Sequence, residues 1–253
     1  SDIELLFRQE QIPQIELGLK FSGWKDTEHD DYDDYYYRQW MHEIPPLVHP
    51  ERQTVLDIHH NILPQTNRQY FSPNRFQFQT VYIAEFDLTI RTLSDADMFI
   101  HSSVHLFTES EFDNGVRDLL DLKYMYQEFI DKNSNFAQQL SERAKSLGLE
   151  NFLYLAIRHL DRIYKVGRRY ELPQLSLKPT WHTGIMDICF TQVLSADNLA
   201  SNSLVGKLAR CILYWRGHLI KMPLNILLPH LARKSYTQIK NVLVGAPEQK
   251  ADL

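Results

Sequence analysis

Asp2 and Glu4 stand two positions apart in the run Asp2-Ile3-Glu4-Leu5-Leu6-Phe7, and side chains with that spacing share a face of an extended chain. Two carboxylates so placed offer hard oxygen ligands to a divalent cation. The same alternation sends Leu6 to their side and predicts that Ile3, Leu5 and Phe7 enter a core. A two-metal phosphoryl- or nucleotidyl-transfer centre needs such clustered carboxylates, because the cations neutralise charge that builds up on the phosphate. An acidic face on an exposed edge strand serves solubility equally well. The pair therefore gains meaning only if a third acid joins it.

The run Thr54-Val55-Leu56-Asp57-Ile58-His59-His60-Asn61-Ile62 supplies that candidate. Its alternation puts Leu56, Ile58, His60 and Ile62 on one face and Asp57, His59 and Asn61 on the other. If this strand neighbours the first, Asp57 comes beside Asp2 and Glu4. Three like charges in one place call for a bound cation.

These residues resemble a known pattern. An acidic strand of the form D-h-[DE]-h followed by a carboxylate on a later strand is similar to the DNA polymerase beta nucleotidyltransferase superfamily. Together with His42-Glu43-Ile44-Pro45-Pro46-Leu47 and the Asp118-Leu119-Leu120-Asp121-Leu122 helix, it resembles the uncharacterised bacterial nucleotidyltransferase family of that superfamily, over roughly residues 1 to 165. The resemblance implies that Asp2, Glu4 and Asp57 are catalytic residues that bind two Mg²⁺ ions. Asp57 would also help deprotonate an acceptor hydroxyl, and Ser1 would lie at the nucleotide. It implies an NTP as substrate and an unknown small-molecule or protein acceptor. His42, His59 and His105 are its candidates for the acceptor cleft. The superfamily places a Gly-Gly or Gly-Ser turn upstream of the acidic strand, where backbone N–H groups hold the triphosphate. This sequence enters directly on the acidic strand, so the expectation is a palm truncated at its N-terminus. A non-catalytic binding or scaffold protein of the same fold is the alternative.

Other residues carry weaker chemistry. His101 and His105 lie four apart and share a helix face, as in zinc sites, but no acid stands between them in the H-E-x-x-H manner. A metal-dependent hydrolase using His59, His101 and His105 is a third reading. Asp118 and Asp121 face either that cleft or its polar rim. Arg158, Arg162, Arg168 and Arg169 form the notable basic cluster, suited to phosphate binding or simply to a helix C-terminus.

The elements that must position these residues divide near Ser94. Residues 1–92 read as a small mixed nucleotidyltransferase-like sheet and 93–253 as an α-helical domain, an α+β architecture. A helix over Ile12 to Phe21, with Glu16 and Lys20 as a supporting pair and a stop at Gly23, would cover the sheet. The segment Asp30 to Tyr37 is expected to be a solvated loop, with an acceptor-binding rim as its sharper reading. Met41 to His49 and Gln53 to Ile62 flank Pro50-Glu51-Arg52 as a hairpin whose first arm Pro45 and Pro46 make an edge or bulged strand. A last strand is expected at Glu85 to Arg91. Ser94 then caps a helix through Phe107, and further helices are expected at 115–131, 135–147, 151–166, 183–194 and 203–219, before a tail that holds Pro223 and Pro229 and is irregular at its end.

Composition sets bounds on partners. The 253 residues carry a formal charge of −5 with 43% hydrophobic content, which argues against a general nucleic-acid binder. Cys189 and Cys211 are too few for a disulfide framework, and both read as core residues. A reducing, cytoplasmic setting is therefore expected. No run of the sequence approaches a membrane span.

Overall fold

The computed structural model describes residues 2–27, 31–175, 181–195, 203–229 and 231–233. Within them the chain is α+β: a four-stranded sheet and a two-stranded hairpin, then a succession of helices. The sheet comprises β1 (Asp2–Leu6), β2 (Lys25–Asp26), β3 (Leu47–His49) and β4 (Thr54–His59), in the order β1-β4-β3-β2. β1 runs parallel to β4, while β3 is antiparallel to both of its neighbours.

One face of this sheet packs on α1 (Ile12–Phe21), whose Pro13 sits in the first turn, where its missing N–H costs nothing. Glu16 and Lys20 pair at 3.0 Å one turn apart. Ile12, Ile44, Leu47, Leu56 and Ile58 form the buried cluster between helix and sheet, with Phe7, Ile15, Leu19 and Trp24 packed around it. The helix stops at Gly23, whose φ of +94° suits glycine and whose hydrogen faces the His49 ring, 3.2 Å from where a Cβ would sit. The expectation that Ile3 and Leu5 enter this core is corrected. They align with Leu56 and Ile58 and so share the α1 face, yet they stay 44% and 36% exposed. β1 is the edge strand, and the cluster under α1 is centred on β4 and β3. Phe7, just past the strand, reaches the core.

The acidic, tyrosine-rich segment is a helix, not a loop: α2 spans Asp31–Trp40. Tyr32 and Tyr36 stack one turn apart at 6.4 Å, and Tyr36 is buried with Met222 and Leu227. Arg38 ties the helix down by pairing with Asp34 and with Glu16 of α1, each at 2.9 Å. The burial partners lie nearly two hundred residues downstream, so local composition alone reads as solvated.

β3 and β4 form the expected hairpin, with Leu47 opposite Leu56 and His49 opposite Thr54. β3 is three residues long and lies inside the sheet, with β2 on its far side. Its ladder ends at Leu47 because Pro45 and Pro46 offer no N–H, and pairing resumes at a single bridge between Glu43 and His59. Five residues from Leu47 back to Glu43 thus oppose four from Leu56 to His59. That is a bulge.

The strand expected at Glu85 to Arg91 is corrected to a hairpin of β5 (Phe78–Ile83) and β6 (Leu88–Leu93). Ala84–Phe86 form its turn, closed by Asp87 in the left-handed region. The side-chain hydroxyl of Ser94 accepts from the Asp97 N–H, opening α3 (Asp95–Thr108). Around α3 pack α4 (Gly115–Lys132), α5 (Phe136–Leu147), α6 (Glu150–Tyr164) and α8 (Leu204–Lys221), and α7 (Trp181–Leu194) lies against α8. Phe99, Phe107, Leu119, Leu122, Tyr126 and Phe190 are fully buried at the centre. Asp97 is buried too; it accepts from Arg143 of α5 at 2.5 and 2.7 Å and from the Gln77 N–H at 2.6 Å, joining hairpin to helices. Cys189 is buried as expected, but Cys211 is exposed and both are free. Arg158 and Arg162 of the basic cluster converge on buried Asp187, Arg162 at 3.0 Å. No described helix is long and apolar enough to cross a membrane. The end of the tail, where irregular chain is expected, lies outside the described residues.

Candidate functional site

The parallel ladder sets Glu4 beside Asp57 and Leu6 beside His59. Register partners on adjacent strands project from the same face about 4.8 Å apart, so the two carboxylates share the face turned away from α1. Asp2 opens β1 in register with Val55. Ser1 lies outside the described residues.

The bulge at Pro45-Pro46 then brings in an acid that sequence spacing does not reveal. Extending the hairpin register from Leu47 and Leu56 without a break pairs Glu43 with His60, on the α1 side. The extra residue moves Glu43 opposite His59 instead, onto the face of Asp57. The same shift keeps both Ile44 and Leu47, three positions apart, in the α1 core. Two prolines in the arm were the available signal; they announce a bulge but not which way it turns the acid.

Electrostatics record the crowding. Burial, with the Asp57 carboxylate beside it, raises the Glu43 carboxyl to about 7. Tyr37 of α2 is pushed up to about 12 by burial, with Glu43, Asp33 and Asp57 adding to it. His59, 9% exposed, has its Nδ1 3.4 Å from a Glu43 carboxylate oxygen, without the alignment of a hydrogen bond. Burial lowers its ring to about 4, against the pull of Glu4. His42 stacks obliquely on His59 with ring centres 5.4 Å apart, and burial holds its ring well below the ordinary value.

α3 reaches this face through His101. His101 Nε2 approaches Glu4 at 3.8 Å, and burial brings its ring to about 4, with His105 adding to the fall. His105 Nε2 lies 3.9 Å from Glu109, and Lys221 at the end of α8 meets the same Glu109 at 3.7 Å. The two helical histidines thus go to different carboxylates. Among the described residues, the metal-capable group that converges is His42, Glu43 and His59. Asp118 pairs with its neighbour Arg117 at 3.1 Å. Two surface cavities of about 470 and 370 Å³, one lined by Arg158, Arg162 and Lys165 and the other by His182 and Arg216, include none of the sheet's acids.

An acidic pair on two parallel strands, overhung by a helix, is an arrangement able to bind cations and a polyanionic substrate. A family model described as an uncharacterised nucleotidyltransferase matches residues 1–165. The chain belongs to this family. The matched stretch runs from β1 through α6 and holds Glu4, Tyr37, His42, Glu43, Asp57, His59, His101 and His105; α7, α8 and Lys221 follow it. Searches of curated proteins and of solved structures return no match.

Proposed function

We propose that this nucleotidyltransferase moves a nucleoside monophosphate from an NTP to an acceptor hydroxyl, releasing pyrophosphate, at the sheet face that carries Glu4 and Asp57. The observation that supports it most is the register of β1 on β4, which makes those two acids neighbours. Their donor chemistry fits Mg²⁺, a cation that takes carboxylate oxygens and substrate phosphates in preference to imidazole. Asp2, Glu4 and Asp57 would hold it, within the DNA polymerase beta superfamily pattern. When bound, Mg²⁺ supplies charge neutralisation on the transferred phosphoryl group and fixes the orientation of its oxygens.

The chain's own groups have separate tasks in this reading. Asp57 would accept the proton of the attacking hydroxyl. Residues 1–92 would act as the palm, and 93–253 would supply the acceptor pocket through α3, with His42, His59 and His105 at its rim. The acceptor would be a small molecule or a protein rather than nucleic acid in general, since the chain carries a net charge of −5.

Calorimetric titration of Mg²⁺ with a non-hydrolysable NTP, followed by a pyrophosphate-release assay across the four NTPs, tests the proposal. Binding that Asp57→Asn abolishes in a folded protein supports it. A folded chain that binds no nucleotide under any of these conditions would be a non-catalytic scaffold of the same fold.

A further inference from the structure

We propose that His42, Glu43 and His59 form a site for one transition ion of the Zn²⁺ class, next to the carboxylate pair Glu4–Asp57 and separate from it. One ligand atom from each residue lies within 4.8 Å of the other two. The contact between His59 Nδ1 and Glu43 Oε2 is 3.4 Å. Zinc bonds to nitrogen and carboxylate oxygen of about 2.0–2.2 Å set the edge of a tetrahedral site at about 3.4 Å, so this pair already stands at ligand separation.

Independent evidence comes from nitrogens without partners. Nδ1 of His42 and Nδ1 of His59 are both buried and make no hydrogen bond, although buried polar atoms are nearly always satisfied. The His59 Nδ1 atom is itself shut off from solvent, so water does not serve it. An ion held between the rings and Glu43 would satisfy both nitrogens and offset the carboxylate charge.

The backbone assembles the ligands beforehand. The His42 carbonyl accepts from the N–H groups of His60 at 2.8 Å and Asn61 at 3.2 Å, and the Ile44 N–H donates to Ile58 at 3.0 Å. These bonds pin the arm that carries His42 and Glu43 against the end of β4. Two imidazoles and one carboxylate are a borderline donor set that selects Zn²⁺ or Co²⁺ over Mg²⁺. Three protein ligands leave a tetrahedral position for water, and the Glu43 side chain is 22% exposed, which gives the ion a way in.

The test uses the full chain, stripped with chelator and titrated separately with Co²⁺, Zn²⁺ and Mg²⁺. One equivalent of Co²⁺ is expected to give visible absorption of low-coordinate cobalt that excess Mg²⁺ does not displace. His42→Ala and His59→Ala should each weaken Co²⁺ binding by more than the ~10–100-fold that loss of an outer-shell partner costs. Asp57→Asn should keep the Co²⁺ spectrum even where it abolishes Mg²⁺–nucleotide binding, which separates this inference from the transferase reading. X-ray absorption of the zinc-loaded wild-type chain should show two imidazoles on the ion and needs no variant to fold. A spectrum that survives both histidine substitutions, a folded wild-type chain that binds neither Co²⁺ nor Zn²⁺, or zinc without imidazole neighbours would each overturn it.

Discussion

His159 gives the fold an acid sensitivity that can be worked out from its surroundings. The residue is fully buried in α6, its ring between Phe107 of α3 at 5.6 Å and Phe190 of α7 at 5.3 Å. Nδ1 lies 2.8 Å from the Leu155 carbonyl, so it carries the proton of a neutral ring, and Nε2 has no partner. Protonation would leave a second N–H pointing at apolar side chains. Burial accordingly lowers the ring from 6.5 to about 4, opposed by the Leu155 carbonyl and Asp187 and assisted by Arg162 and Arg158. Between those two pH values the unfolded chain binds this proton and the folded chain refuses it. Stability therefore rises with pH across the window and is lost as pH falls from about 6.5 towards 4. At about 1.4 kcal/mol per unit, the loss is about 3 kcal/mol.

His159→Leu removes the titrating group while keeping an apolar side chain of similar size. Guanidinium unfolding followed by tryptophan fluorescence, repeated at steps between pH 7 and pH 4, gives both stability curves by linear extrapolation. The variant will be offset by its changed packing and lost hydrogen bond, but that offset is independent of pH. Its fall between pH 7 and pH 4 should be shallower than the wild type's by about 3 kcal/mol. His42, His59, His60 and His101 titrate in both proteins and cancel. Asp187 does not interfere: burial pushes its carboxyl up, but hydrogen bonding and charge from Arg158, with Arg162 adding, hold it below its ordinary 3.8. Its contribution is lost only under the window. Parallel curves for the two proteins would refute the reasoning and show that His159 accepts its proton in the folded state.

Other substitutions probe other parts of the molecule. Asp57→Asn should lower pyrophosphate release by ~100-fold or more with an unchanged circular dichroism spectrum, since it removes a carboxylate from the cation-binding face. Asp97→Ala should cost ~3–5 kcal/mol in chemical denaturation, because it leaves the largely buried Arg143 side chain, 13% exposed, without its carboxylate. Two glycines should differ in sign. A Cβ at Gly217 would stand 2.7 Å from the Glu109 carbonyl oxygen and the Ser110 Cα, so Gly217→Ala should destabilise by ~1–3 kcal/mol. At Gly184, inside α7, nothing lies within 4 Å, and Gly184→Ala should stabilise by ~0.5–1 kcal/mol. Thermal denaturation of the two variants side by side reads the contrast.

What could be read in the residues followed from how local its cause was. α3 through α6 carry apolar side chains at three- and four-residue steps, so their spans were legible to within a residue or two, as was the cap at Ser94. α2 was not, because its apolar face is satisfied by Met222 and Leu227 rather than by anything in its own neighbourhood. The hairpin of β5 and β6 is half legible; alternation runs a strand through Glu85 and Phe86, which the structure uses for the turn. Ile3 and Leu5 have the alternation of a buried strand, but alternation reports which face a residue is on and not whether anything covers that face.

The site shows the same division more sharply. Placing Asp57 next to Glu4 needed only the assumption that two strands of matching alternation pair, and the parallel register aligns those two positions. Glu43 needed knowledge of where an extra residue enters. In a strand, period-2 bookkeeping is unforgiving, since one inserted residue exchanges the two faces for everything beyond it. Pro45 and Pro46 force that insertion, for neither can donate to the ladder, and the chain regains the sheet one residue out of step at the Glu43–His59 bridge. An acid that continuous pairing assigns to the α1 core is thereby delivered to the face of Glu4 and Asp57, together with two histidines whose buried Nδ1 atoms make no hydrogen bond. Deleting one of the two prolines would restore the uninterrupted register and turn Glu43 into the apolar cluster of Ile44, Leu47, Leu56 and Ile58. A buried carboxylate without a partner there costs several kcal/mol, so the bulge and the acid require each other.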